Sequence, residues 1–178
     1  MTTLPAAEMP LCLALNRWGA QSVVHWFFAA VSRLGDGVFW YALMLALPLA
    51  DGWRGAVVST ELAATGLVSL AIYRLLKRSI RRPRPYMSHQ GIIARVPPLD
   101  QFSFPSGHTL HAVAFTAIAC AWYPALALIL VPFSMLVALS RVVLGLHYPS
   151  DVAAAVGIGC LLAAGSLATA GFLGAFPA

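Results

Sequence analysis

Three short stretches of this chain carry residues that could do chemistry on a phosphate. They are Lys77-x6-Arg84-Pro85, Phe104-Pro105-Ser106-Gly107-His108 and Ser140-Arg141-x5-His147-x3-Asp151. Arg84 offers a planar fork for two phosphate oxygens at once, and Lys77, the only lysine present, adds a compact point charge. Pro83 and Pro85 fix the backbone on either side of that fork. In the second stretch a small-residue turn leads into an apolar run. Ser106 and Gly107 would leave free backbone N–H groups there as an anion site, and His108 would stand ready to protonate a leaving oxygen. In the third, Asp151 follows His147 by four residues, one turn if the segment is helical. A carboxylate on one imidazole nitrogen fixes the tautomer and leaves the other nitrogen free to attack. Arg141 closes an apolar run, where an unpaired charge would be costly in lipid.

Each stretch also has a plainer reading. Arg78, Arg81 and Arg82 need be no more than a basic cluster that stops a membrane span. Ser106 and Gly107 suit an ordinary helix start, with Ser106 as cap. Arg141 could be an interfacial arginine beside an unrelated His-Asp pair. His111, one turn beyond His108, reads as a packing residue. The three cysteines, Cys12, Cys120 and Cys160, lie far apart in apolar runs with no metal-ligand spacing.

The elements that must carry these residues follow from composition. The 178 residues are 60% hydrophobic and only 10% charged, with a mean hydropathy of +0.81. Soluble domains carry about 25% charged residues, so this chain belongs in a bilayer. The net charge of +5 is concentrated: Arg74, Lys77, Arg78, Arg81, Arg82 and Arg84 are six of the 11 basic residues. One compact cationic site is implied. Nucleic acid is excluded as a partner, since no soluble module presents the patch. Residues 1–10 lack the basic start and cleavage site of a secretory signal, so the first apolar segments are expected to be retained.

Residues 9–20 mix Leu and Trp with Asn16 and Arg17, as a short interfacial helix would. Six apolar spans are expected after it, at 21–34, 38–50, 55–76, 105–122, 125–143 and 150–174. Turns are expected at 33–38, 51–54 and 123–124. The first two spans fall short of the roughly 20 residues a bilayer core requires. Either they extend into the neighbouring turns or the pair does not fully cross. Residues 77–104, rich in Pro and Arg, cannot cross. Counting crossings puts 33–38, 77–104 and 141–150 on one face, so all three motifs converge there. The expected fold is all-α: a single domain over 1–178, an integral membrane bundle of about six transmembrane helices with an N-terminal interfacial helix.

The triple pattern within residues 77–151 resembles the type 2 phosphatidic acid phosphatase superfamily, which also includes vanadium haloperoxidases and bacterial acid phosphatases. Every signature position is present, and the Leu34-Gly35-Asp36 turn is similar to bacterial members. The resemblance implies a two-step mechanism without metal or other cofactor. His147 would attack phosphorus to form a phosphohistidine, oriented by Asp151. His108 would protonate the departing lipid oxygen and then activate water. Lys77, Arg84, Arg141, the Ser106 hydroxyl and the Gly107 N–H would hold the phosphoryl oxygens. The implied substrate is a lipid phosphate such as phosphatidic acid, phosphatidylglycerophosphate or a polyprenyl diphosphate. Competing readings are a lipid phosphotransferase, a headgroup-binding carrier and a vanadate haloperoxidase. A carrier needs no Asp-oriented histidine, and the membrane spans argue against the haloperoxidase. The loop at 86–104, with His89, Arg95 and Asp100, is expected to shape the headgroup pocket. Counting Lys and Arg would place the motif face in the cytoplasm. Those residues are recruited for chemistry, however, and the resemblance implies a bacterial inner (plasma) membrane with the site facing the periplasm or exterior. No feature of the sequence sets an oligomeric state.

Overall fold

The computed structural model describes residues 3–172 and 174, and every regular element among them is helical. In chain order these are α1 (Thr3–Trp18), α2 (Ser22–Arg33), a π-helical turn (Leu34–Val38), α3 (Phe39–Ile80), α4 (Pro85–Ser88) and α5 (Gly107–Trp122). A 3-10 turn (Pro124–Leu126), α6 (Ala127–Val143) and α7 (Pro149–Phe172) complete the chain. The last expected span, 150–174, is α7, with residue 173 outside the described residues.

Helix α5 is the axis of the bundle. Leu110, Ala112, Ala114, Phe115, Ile118 and Ala119 are all buried, against α3, α6 and α7. Small residues allow that closeness: a Cβ on Gly159 of α7 would sit 2.9 Å from the Leu110 carbonyl. The helix begins where the Ser106 side chain accepts from the Thr109 N–H, and it stops at Trp122, two residues before Pro124. The outer surface is apolar, with Val23, Leu45, Leu49, Leu67, Leu128 and Leu161 exposed. Ser22–Ser88, Pro124–Val143 and Pro149–Phe172 are long and apolar enough to cross a membrane. Such a surface is stable in lipid and not in water, as in an integral membrane protein.

The expected turn at 51–54 is present. Asp51 and Gly52 leave helical geometry inside α3, Gly52 at φ 52° and ψ −126°. The two limbs of α3, 39–50 and 53–80, fold against each other there. Ser59 Oγ donates to the Met44 carbonyl at 2.7 Å, and a Cβ on Gly55 would lie 2.0 Å from the Leu47 carbonyl oxygen. Arg54 donates to the Trp122 carbonyl at 3.0 Å and the Tyr123 hydroxyl to Asp51 at 2.8 Å. The turns at 51–54 and 123–124 therefore share one end of the bundle.

The expected reversal at 33–38 is not there. The Phe39 N–H bonds to the Leu34 carbonyl across the π turn, with only Gly37 leaving helical angles, at φ 128°. The chain then keeps its direction along α6: Ser32 meets Arg141, Gly35 meets Val137, and Phe39 and Trp40 meet Phe133. Residues 22–50 thus run on in one direction along α6, kinked at Gly37, and not as two antiparallel spans. The described helices make five passages through the bundle, 22–50, 53–80, 107–122, 124–143 and 149–172, in place of the expected six. With one passage fewer, the 77–104 and 141–150 connections still emerge together, opposite 51–54 and 123–124.

Two further boundaries differ from expectation. Helix α3 continues to Ile80, so Lys77 lies on its last turn and not in a loop; Arg81, at φ 50°, ends it ahead of Pro83. Helix α1 is docked on the bundle. Asn16, expected at an interface, is buried and clamps Ile93 and the Val143 carbonyl with three bonds of 3.0 to 3.1 Å. Because Gly55 faces a backbone oxygen that cannot move aside, Gly55→Ala should lower the melting temperature in detergent by about 5 °C or more, roughly 2 kcal/mol. Gly157→Ala, with nothing within 4 Å of the added Cβ, should leave it unchanged or slightly higher.

Candidate active site

A cavity of about 790 Å³ opens where α3 ends, α5 begins and the π turn meets them. Lys77, Arg84, Gly107, His108, Arg141 and His147 line its polar end, together with Asp36 and Asp100. Trp40, Met44, Leu67, Leu70 and Phe115 line the remainder, which is an apolar slot. Residues from five separate stretches of sequence, at 36, 77–84, 100, 107–108 and 141–147, thus meet at one end of the bundle. Of the expected site residues, Ser106 and Asp151 lie behind the wall. The Ser106 hydroxyl is engaged with Thr109 Oγ1 at 2.9 Å, and the Ser106 N–H bonds the Asp151 carbonyl at 3.3 Å. Ser106 therefore anchors the start of α5, whose Gly107 faces the cavity.

His147 is buried, two residues before α7 begins. Burial, then the charges of Arg141, Arg84 and Lys77 and the neighbouring His108, hold its pKa well below the ordinary histidine value. The ring is neutral. Asp151 Oδ2 stands 3.6 Å from Nδ1, which is close but beyond hydrogen-bond length. With the carboxylate on that side, the ring proton belongs on Nδ1, and the lone pair of Nε2 faces Arg84 Nη1 at 3.3 Å. The four-residue spacing works through a turn, not a helix: Asp151 Oδ2 accepts the Tyr148 N–H at 2.9 Å. Among the described residues, His147 Nδ1 and Arg141 Nε are buried without a hydrogen-bond partner. Arg141 is otherwise held by Ser32 Oγ.

Two residues of the site do not read as such from the sequence, and a third, Asp100, is expected only to shape the pocket with its loop. The sequence reads Asp36 as part of a turn. The π turn instead brings its Oδ1 to 3.2 Å from His108 Nε2, a partner that orients the proposed acid, and π turns are frequent at functional sites. Arg82 needs, from the sequence, to be no more than part of a basic cluster that stops a span. Its Nη1 lies 2.6 Å from Asp151 Oδ1 and 2.7 Å from Ser150 Oγ, and the guanidinium covers the Tyr148 ring. Glu8 of α1 stands behind it at 3.6 Å and accepts the Ser150 N–H at 2.9 Å. Asp100 pairs with both Lys77 and Arg84 at 2.8 Å. Burial raises its pKa, but the Lys77 bond and charge, with Arg84, more than offset this and leave it below the usual carboxylate value. His111 faces two backbone carbonyls, of Gly107 at 2.8 Å and Gly66 at 3.3 Å.

The PAP2 superfamily profile matches residues 58–173. The decaprenylphosphoryl-5-phosphoribose phosphatase of Mycobacterium tuberculosis is 43% identical over 105 residues, 57% of this chain and 55% of that protein. The lipid A 1-phosphatase of Rhizobium etli is 34% identical over 111 residues, 60% of this chain and 46% of that protein. The chain thus spans about half the length of the curated relatives it matches. The crystal structure of LpxE from Aquifex aeolicus superposes with a TM-score of 0.78 at 23% identity, covering 90% of this chain and 94% of that one.

A neutral buried histidine ties stability to pH. Below about pH 6.5 the unfolded chain protonates His147 while the folded one refuses the proton. Its contribution is complete above that pH and is lost as pH falls toward the depressed folded value. The wild-type melting temperature should therefore drop more steeply between about pH 7.5 and 5 than that of His147→Asn, as followed by thermal unfolding in detergent.

Proposed function

The chain belongs to the PAP2 superfamily, and from that premise we propose that it is a membrane lipid phosphatase working through a phosphohistidine. The observation that carries this reading is the buried His147, its Nε2 at the cavity wall among three buried cations while Asp151 backs its other nitrogen. His147 Nε2 attacks phosphorus, and the bond from phosphorus to the lipid oxygen breaks. His108, oriented by Asp36, gives that oxygen its proton. His108 then takes a proton from water, whose oxygen displaces His147 and releases inorganic phosphate. Lys77, Arg84, Arg141 and the Gly107 N–H hold the equatorial oxygens, where charge spreads in the transition state. Ser106 serves through the cap that fixes the start of α5. Nothing in this cycle requires a metal ion.

The apolar slot beside the cations supports a lipid as the carrier of the phosphate. The named relatives fit, since one acts on a decaprenylphosphoryl compound and the other on lipid A. We assign the substrate to lipid phosphate monoesters or diphosphates, phosphatidic acid, phosphatidylglycerophosphate and polyprenyl diphosphate among them. We assign the protein to a bacterial inner membrane with the site outward, a reading that the family resemblance supports.

Phosphate release by detergent-purified protein in excess EDTA tests the reading, with those three lipids as substrates. His147→Ala should abolish release, and Arg141→Gln should reduce it by about 10²- to 10³-fold. Loss of activity in EDTA, or its survival in His147→Ala, overturns the mechanism. Arg82→Gln, which touches neither cavity nor substrate, should lower kcat by about 10²-fold with little change in KM by letting Asp151 and His147 drift.

A further inference from the structure

The cradle assigned to phosphate already holds an anion of the chain's own. Lys77 Nζ donates to both carboxylate oxygens of Asp100, at 2.8 and 2.9 Å, and Arg84 Nη2 donates to Oδ1 at 2.8 Å. Neither cation depends on that carboxylate for its position. Arg84 Nε donates to the Asp100 backbone carbonyl at 3.0 Å and Nη1 to the Leu146 carbonyl at 2.9 Å. Lys77 Nζ donates to the Phe102 carbonyl at 2.8 Å. Backbone oxygens anchor both cations, and the Asp100 side chain takes the donors that remain at the cavity wall.

Burial shows which partner can move. The side chains of Lys77 and Arg84 are 6% and 1% exposed, whereas that of Asp100 is 37% exposed. Asp100 also lies in the 89–106 segment, which has no regular structure to hold it.

We infer that Asp100 is an affinity-setting residue: its carboxylate competes with the phosphoryl group for Lys77 and Arg84 and must swing aside when a ligand binds. This rests on the phosphatase reading above. Displacing the carboxylate takes the same free energy whatever displaces it, so affinity for every anion falls by one common factor. Two consequences follow for an enzyme of this kind. Product phosphate is expelled by a carboxylate that returns to its place. The phosphodiester headgroups of surrounding lipids, with one negative charge and fewer free oxygens, are too weak to hold the cradle open.

The common factor makes the inference testable by binding alone. Inorganic phosphate, a dianion at about pH 8, and dimethyl phosphate, a monoanion, are titrated calorimetrically into the detergent-solubilised full chain. Wild type, Asp100→Asn, Asp100→Ser and Asp100→Glu are compared. Removal of the charge in Asp100→Asn and Asp100→Ser should tighten both ligands by the same factor. That factor should be roughly tenfold or more, the size of one charge-assisted hydrogen bond. Asp100→Glu should stay within about threefold of wild type. Weaker phosphate binding in the two neutral variants overturns the inference, because the carboxylate would then be positioning the cations. Tightening of phosphate but not of dimethyl phosphate also overturns it, since remote repulsion scales with ligand charge and occupancy does not. Absence of phosphate binding in wild type and neutral variants alike is a separate failure, which removes the phosphate cradle and the proposed function with it.

Discussion

Cations buried in an apolar bundle have to be balanced from somewhere, and that constraint organises this molecule. Lys77 and Arg84 are almost fully buried, as is Arg141. Removing such charges from water costs several kcal/mol each unless partners are supplied. The partners arrive from distant sequence: Asp100 from the loop, Ser32 from α2, and the carbonyls of Leu146 and Phe102. Arg82 answers the same demand in reverse, neutralising a buried Asp151 while its other side faces Glu8 of α1. The loop, the π turn and the N-terminal helix are therefore structural requirements of the charged end, beyond the packing of the transmembrane helices.

The parts legible in the sequence were those whose chemistry is local. Lys77, Arg84, His108, Arg141 and His147 could be picked out because cations and histidines are conspicuous in an apolar chain, and all five line one cavity. Asp36 and Arg82, and the pairing of Asp100 beyond its place in the pocket loop, are not legible because each acquires its meaning from a partner 72, 69 or 23 positions away, and spacing rules reach only along a helix. The misplaced turn has the same origin. Leu34-Gly35-Asp36-Gly37 has the composition of a loop, and composition alone does not separate a reversal from a π turn that carries the helix onward. Contacts along α6 decide it, and these are tertiary. The convergence of the motifs survived that error because the passages after residue 50 alternate whatever happens before it.

His147 and Asp151 show a correct spacing with a different local cause. A helical i,i+4 pair would have stacked the two side chains on one face. The structure instead places His147 ahead of α7 and turns Asp151 back to the Tyr148 N–H. The carboxylate thus fixes the turn, approaches the ring and receives Arg82 together, which a mid-helix aspartate with its backbone already paired would do less rigidly.

Irregular backbone and buried cations are each unfavourable in a membrane protein, and here they cancel. Polypeptide that leaves the helix at the membrane face exposes carbonyl oxygens with no intrachain donor. Those of Asp100, Phe102 and Leu146 are taken up by Arg84 and Lys77. Had the 99–102 segment been helical, the oxygens of Asp100 and Phe102 would have been spent on the helix, leaving Lys77 without a backbone anchor and Arg84 with that of Leu146 alone. Had the cations been absent, the oxygens would have lain unpaired beside the cavity. The proposed anion site would thus have its positive groups fixed before any ligand arrives, which is the preorganisation that charge stabilisation in a transition state requires. In the proposed displacement the Asp100 side chain yields while its backbone carbonyl stays on Arg84, so the rigidity of the cradle and its capacity to open would reside in different atoms of the same residue.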